Sequence, residues 1–426
     1  MTRSCRPKPG APGALPDLHR AMRTASRRRV LHAAALPAWL ALPSATRAQK
    51  RYGPGVTDTE IRIGQTMPFS GPLSMLASLG KSSAAYFDKL NAEGGINGRR
   101  VKLLAFDDAY SPPRTVEGTR RLVEQEEVLL IFLTIGTPTN IAIHRYLNDR
   151  KVPQLLIMSG ANRWNDPKQA PWTLSGMVSY HLEARWYAQH ALATVREPRI
   201  AVLAQNDDFG RDYGAGLRAG LGERAKTAIV AEATYESTDA TVDSQILKLR
   251  DSGANVLMNF SNGKFTAQSL RRAGELGWKP QVYLPVGASS IASILRPAGV
   301  ENAVGAITLA NVKNPLDPLW KDDPGMLEYH TFMKRWAPGL DANDSLNVSG
   351  YSNAILLAHI LRQCGDDLSR ENVMRQALSL KGFRTPVLLP EVVLDTSPDD
   401  HELYGAVRLQ RFDGQSWVPF GEPMKR

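Results

Sequence analysis

The run from Ile61 to Pro113 leaves this chain few ways to fold. Ile61 and Ile63 alternate with polar residues, and Phe69-Ser70-Gly71-Pro72 ends the alternation, which predicts a strand and then a loop. Leu79, Ala84, Tyr86, Phe87 and Leu90 follow at helical spacing. Gly94-Gly95 and Asn97-Gly98 supply the positive-φ positions that a helix exit and a sharp turn require. Val101 to Phe106 predicts a second apolar strand, closed by the acidic loop Asp107-Asp108-Ala109-Tyr110.

The same alternation continues downstream. Helices are expected over Thr115 to Glu126, Thr137 to Asp149, Tyr180 to Thr194, Asp212 to Lys226, Ser244 to Asp251 and Thr266 to Leu276. Strands are expected over Val128 to Leu133, Val152 to Met158, Ile200 to Ala204, Ala228 to Tyr235 and Val256 to Phe260, with an extended run at Pro171 to Leu174. Strands and helices in this rhythm predict an α/β protein with mostly parallel, doubly wound sheets. Such a length argues for two lobes rather than one sheet. The tail from Leu403 to Phe420 reads as a hairpin about Asp413-Gly414.

The wording of these segments resembles the branched-chain-amino-acid type of periplasmic substrate-binding protein, which feeds ABC importers. The resemblance is carried by the SGP loop, the NAEGGINGRRV turn, the DDAYSP loop, Gln205 to Gly210, Ala273 to Gly277 and Gly350 to Ala354. Ile135 to Asn140, Gly160 to Pro167 and Gln205 to Leu217 further resemble a subgroup that includes binders of aromatic acids. The family implies a type I two-lobed fold with three hinge crossings, here near Pro171 to Gly176, Ile307 to Ala310 and Gly382 to Pro390. Lobe I would then comprise residues 59–173 plus 310–384, and lobe II residues 174–309 plus 385–426.

Residues 1–48 read as an export signal. Ser26-Arg27-Arg28-Arg29-Val30-Leu31 resembles the twin-arginine consensus, an apolar run follows to Leu42, and Thr46-Arg47-Ala48 suits cleavage. An ordinary secretory signal with a chance arginine cluster fits as well, and Met22 is an alternative start. With no cysteine at the cleavage site, no lipid anchor is expected. This segment holds nine Lys/Arg and one acid, so it carries +8 of the net +10. The basic balance therefore gives no reason to expect nucleic acid. A soluble monomer in the periplasm is expected, with Cys364 the lone cysteine after cleavage.

In open α/β sheets ligands bind beyond the carboxyl ends of strands, where helix N-termini offer free N–H groups. Two loops fit: Ile135 to Asn140, with Thr137, Thr139 and Asn140, and Ser159-Gly160-Ala161-Asn162. In the family these loops hold the ligand carboxylate. Both also read as ordinary N-caps, where Ser, Thr and Asn are favoured. Phe69, Trp164, Tyr180, Phe209 and Phe265 are candidate walls, and Asn262 and Val286 complete the candidate set. Amino-acid binders of the family use a second-lobe acid to hold the ligand ammonium, and alignment puts Val286 there. Asn206, Asp207 and Asp208 either cap the next helix or meet the far end of the ligand.

The chain carries no HExxH, CxxC, P-loop or GxSxG motif, and its histidines are scattered, so no metal, cofactor or catalytic residue is expected. Gly214, Gly216 and Gly220 lie inside an expected helix and suit close packing rather than a dinucleotide. The expected function is a periplasmic importer component that closes on a small carboxylate, an amino acid or an aromatic or other organic acid. Its expected partners are an ABC permease and its ATPase subunits. The alternative is a ligand sensor on the same fold.

Overall fold

The computed structural model describes residues 50–426. The expected export segment lies outside the described residues. Of the rest, two sheets form the frame. The first has five parallel strands in the order Arg100–Asp107, Glu60–Met67, Leu130–Phe132, Gln154–Ile157, Thr173–Ser175. The second has seven, in the order Trp417–Lys425, Ala406–Phe412, Ile307–Ala310, Gln281–Tyr283, Val256–Phe260, Ile200–Gln205, Ile229–Tyr235. Its two C-terminal strands form the expected hairpin and join the sheet antiparallel, while the other neighbours are parallel. Two interior strands, Ile200–Gln205 and Val256–Phe260, are buried at every residue, as a parallel strand covered on both faces must be.

Local chemistry sets the boundaries. Gly94, Gly95, Asn97 and Gly98 all take positive φ, ending the helix Ala77–Ala92 and turning the chain into the next strand. The helix expected over Asp212 to Lys226 instead spans Asp208–Leu221. Asp207 starts it early by accepting the N–H groups of Phe209 (2.9 Å) and Gly210 (3.3 Å), and Gly222, at φ 56°, ends it. The capping alternative is thus the one Asp207 adopts. Along this helix Gly216 abuts the His181 carbonyl, and a Cβ on Gly220 would sit 2.7 Å from the Ala188 Cβ. These glycines let helix Asp208–Leu221 pack tightly on helix Tyr180–Thr194.

Between the sheets three chain segments meet. Val312 bridges Leu388, Leu389 N donates to Asn311 O (3.1 Å), and the Tyr404 hydroxyl donates to Gly176 O (3.1 Å). Among the described residues no helix is long and apolar enough to cross a membrane.

Candidate functional site

Loops at the carboxyl ends of both sheets converge on one cavity. In the acidic loop, Asp107 accepts the Ser70 hydroxyl (2.6 Å) and Asp108 accepts Tyr110 N (2.9 Å) and the Thr115 hydroxyl (2.9 Å). These bonds hold Tyr110 at φ 61° with its ring over Gly136, where a Cβ would collide with it. Tyr110, Gly136 and Thr137 all line the cavity. The Thr137 hydroxyl shares a hydrogen bond with Ser159 (2.8 Å), whose hydroxyl also accepts Trp164 Nε1–H (2.9 Å). In the first turn of helix Thr137–Asp149, Pro138 has no N–H and Asn140 N is bonded to Gly136 O (3.2 Å). The amides of Thr137 and Thr139 are left at that end.

Of the expected site residues, Thr137, Tyr180, Phe209, Asn262 and Val286 are brought together on the cavity wall. The others serve the frame around it. Thr139 donates to the carbonyls of Ile135 and Gly136. Asn140 donates to Thr134 O (3.0 Å) and Gly136 O (2.6 Å) and accepts Gln154 Nε2–H (2.7 Å), so its amide is fully used. Ser159 is buried in the bonds already described, and Gly160 gives room for Val178 and the Tyr180 ring. Ala161 is buried, and Asn162 N donates to Asp212 (2.8 Å). Phe69 is half-buried against the core, Trp164 lies fully buried against His144, and Phe265 packs on Tyr235. Asn206 bonds Glu236 (2.6 Å) and Asp208 bonds Arg211 (2.9 Å), both away from the cavity.

One wall is aromatic. Tyr180 stacks on Tyr213 at 4.6 Å, Tyr213 stacks on Phe260 at 4.6 Å, and Phe209 meets both tyrosines edge-on at 5.1 Å. Behind it lies Glu183, fully buried in the first turn of helix Tyr180–Thr194. Its carboxyl accepts the hydroxyls of Tyr187 (2.6 Å) and Tyr213 (2.6 Å) and Val286 N–H (2.7 Å). Burial pushes it up to about 7 against those three bonds. An acid thus stands directly behind Val286, with its oxygens already engaged.

The rest of the wall comes from distant segments. Met177 and Val178 follow strand Thr173–Ser175, Leu309 to Val312 lie at and just after the end of strand Ile307–Ala310, and helix Ser345–Gln363 adds Ser345, Ser349 and Asn353. Tyr404, Gln410 and Trp417 contribute from the C-terminal part. Among the described residues no Asp, Glu, Lys, Arg or His lines this cavity. Contacts from both sides enclose it. Asp344, the N-cap of helix Ser345–Gln363, accepts the hydroxyls of Ser290 (2.8 Å) and Ser293 (2.7 Å) from the loop after strand Gln281–Tyr283. Gly263 meets Leu73, and Asn162 meets Asp212. Among the described residues no cluster of three or more His, Cys, Asp or Glu could hold a metal ion.

Tyr110 and the residues from Leu309 onward were missed by sequence reasoning. Tyr110 had a signal, since it follows the carboxyl end of a strand. The later ones had none, because their place depends on how the chain returns between the sheets.

Comparison with known proteins fits this architecture. A Leu/Ile/Val-binding protein homolog 7 from Brucella suis biovar 1 (strain 1330) is 23% identical over 248 residues, covering 55% of this chain and 60% of that protein. The match therefore spans about three fifths of the relative's length. A branched chain amino acid ABC transporter protein from Thermus thermophilus, solved with bound valine, superposes with a TM-score of 0.77 at 16% identity, covering 87% of this chain and 98% of that one. A fatty acid ABC transporter substrate-binding protein from Thermomonospora curvata superposes at 0.71 with 18% identity, covering 88% and 95%. At these identities the structural likeness shows the fold, which is the expected type I one. The profile described as periplasmic binding protein matches residues 60–416, and the chain accordingly belongs to the periplasmic binding protein family, among relatives of the Leu/Ile/Val-binding type.

Proposed function

We propose that this chain is the exported ligand-binding component of an ABC importer and takes a small carboxylate in the cavity between its two sheets. The observation that carries the reading is the enclosed, uncharged cavity with the N-terminus of helix Thr137–Asp149 at its wall. A carboxylate there meets unpaired amides and the positive end of the helix dipole. Aromatic rings at Tyr180, Phe209 and Tyr213 suit an apolar or flat ligand body.

The moving units in this reading are residues 59–173 plus 310–384 and residues 174–309 plus 385–426. The strand Thr173–Ser175 belongs to the first sheet, which supports moving the first of these boundaries from residue 173 to residue 175. Closure would seat the ligand, and the permease would read the lobe orientation. The protein would act as a periplasmic monomer delivered by its leader, and no catalytic step is assigned to it.

The test is mass spectrometry of small molecules released from protein purified without denaturation, followed by calorimetry with the compounds found. A bound organic acid or amino acid that raises the melting temperature supports the reading. An empty protein, with no heat from a broad panel of amino, aliphatic and aromatic acids, rejects it.

A further inference from the structure

The cavity has two unlike kinds of lining. One is apolar, with Leu73, Leu76, Leu79, Ile135 and Met158. The other is polar but neutral, and is built from the chain after strand Ile307–Ala310 and from helix Ser345–Gln363. Ser345, Ser349 and Asn353 recur every four residues on helix Ser345–Gln363, so they form one stripe. At the α-helical rise that stripe runs about 12 Å. Asn311 and Asn314 stand on the chain just after strand Ile307–Ala310 and line the same cavity.

Asn314 is the informative member. It is 8% exposed, and its Oδ1 accepts Leu316 N–H (3.2 Å). That bond fixes which end of the amide is oxygen, so the Nδ2 end is a donor. This Nδ2 has no hydrogen-bond partner, although the residue lines the cavity. A buried donor left unpaired is costly, and an acceptor on a ligand would satisfy it.

The charge pattern narrows the ligand from the other end. An ammonium placed in this cavity would find no carboxylate on its wall. The acid behind Val286, Glu183, is engaged by Tyr187, Tyr213 and the Val286 amide. Burying an unpaired cation is expensive, whereas a lone carboxylate can use the helix N-terminus. We infer that the ligand is a monocarboxylate without an α-ammonium, with an apolar body and an uncharged oxygen acceptor at its far end that Asn314 reads. This rests on the carboxylate-binding reading above and narrows it.

Two matched sets test it by calorimetry on the purified protein. The first is 5-oxohexanoate, hexanoate and norleucine. The second is 3-(4-methoxyphenyl)propionate, 3-phenylpropionate and phenylalanine. In the set whose body fits, the oxygen-bearing acid should bind about tenfold tighter than its plain partner. The amino acid should bind weaker than the plain acid by at least about a hundredfold. Asn314→Leu should abolish the tenfold gain, so that the oxygen-bearing and plain acids bind alike in the variant, and Asn314→Ala serves if the leucine variant melts early. An amino acid that binds as tightly as its deaminated partner overturns the inference and leaves the carboxylate-binding reading standing. Equal affinity of the oxygen-bearing and plain acids, or a gain that survives in both variants, overturns the role of Asn314. Flat heats for all six compounds overturn the inference, and flat heats across the broader panel as well reject the binding reading itself.

Discussion

Glu183 and Glu402 are both buried, and burial pushes both up to about 7, yet their surroundings differ. Glu183 has both oxygens engaged, by two tyrosine hydroxyls and the Val286 amide. Glu402, two residues before the cavity-lining Tyr404, accepts only Asn165 Nδ2–H (2.6 Å) on one oxygen and has no partner on the other. Arg426 opposes the upward push on Glu402, whereas hydrogen bonds alone do so on Glu183. Equal proton affinity therefore conceals unequal structural roles. One carboxyl fastens the wall of the cavity. The other is tolerated, and its protonation leaves most of its surroundings intact.

Truncation should separate them most strongly. Glu183→Ala leaves the Tyr213 hydroxyl and the Val286 amide without their acceptor, while Tyr187 keeps Leu284 O at 2.8 Å. Two buried donors left unpaired predict a loss of about 2–4 kcal/mol in urea denaturation. Glu402→Ala frees only Asn165 and removes an unpaired buried oxygen, so a change under about 1 kcal/mol is expected. Similar losses for the two variants would dissolve the contrast.

The sequence made one of these acids easy to misread. An acid in the first turn of a helix ordinarily sits in solvent and complements the dipole. Tyr187 lies one turn on along the same helix, but only the return of Tyr213 and Val286, remote in sequence, turns Glu183 into a buried anchor. The same reason hid the wall of Asn311, Asn314, Ser345 and Ser349. What could be read was local. The Gly94 to Gly98 turn, the helix Tyr180–Thr194 and the strand Val256–Phe260 follow from φ demands and periodicity over a few residues. Thr137 was legible as a loop position at a strand end and Val286 through the family resemblance, and the structure places both on the cavity. Thr139 and Asn140 share the first of those loops, but their side chains are spent on its backbone.

Titration gives the next effect. A carboxyl whose folded pKa is raised from 4.5 to about 7 binds its proton more tightly in the folded state. Its stabilising contribution is complete below 4.5 and is lost as pH rises to about 7. Wild-type stability should therefore carry a downward component between pH 5 and pH 7. The lowered carboxyls Asp107 and Asp323 act in the opposite sense below 3.8. His144, His190, His330, His359 and His401, lowered from 6.5 by burial, act in that sense inside the window, so the readout is the difference between variant and wild type. Glu402→Gln should take its share of that downward component out of the slope of urea midpoint against pH, at little cost in stability. Glu183→Gln should do the same from a lower starting stability. An unchanged slope in Glu402→Gln would show that Glu402 does not hold a proton across this range.

Asp344 sharpens the comparison at its smallest scale. Like Glu183 it is well supplied with donors, but two of them, Ser290 and Ser293, come from across the cavity. Glu183 would keep its bonds to Tyr187, Tyr213 and Val286 if the proposed lobes parted, since all three belong to the second lobe. Asp344 would lose its serines. Ser293→Ala removes one such bond and leaves the helix cap to Leu346 N (3.0 Å) in place. It should cost about 0.5–1.5 kcal/mol of the enclosed form. That weakens a cleft ligand by about two- to tenfold while the melting temperature of the ligand-free protein barely moves. Small-angle scattering of the variant should show a larger radius of gyration without ligand and the wild-type value with it. If affinity and scattering both match wild type, Asp344 only caps its helix, and the cavity is held shut by its apolar contacts at Leu73 and Gly263.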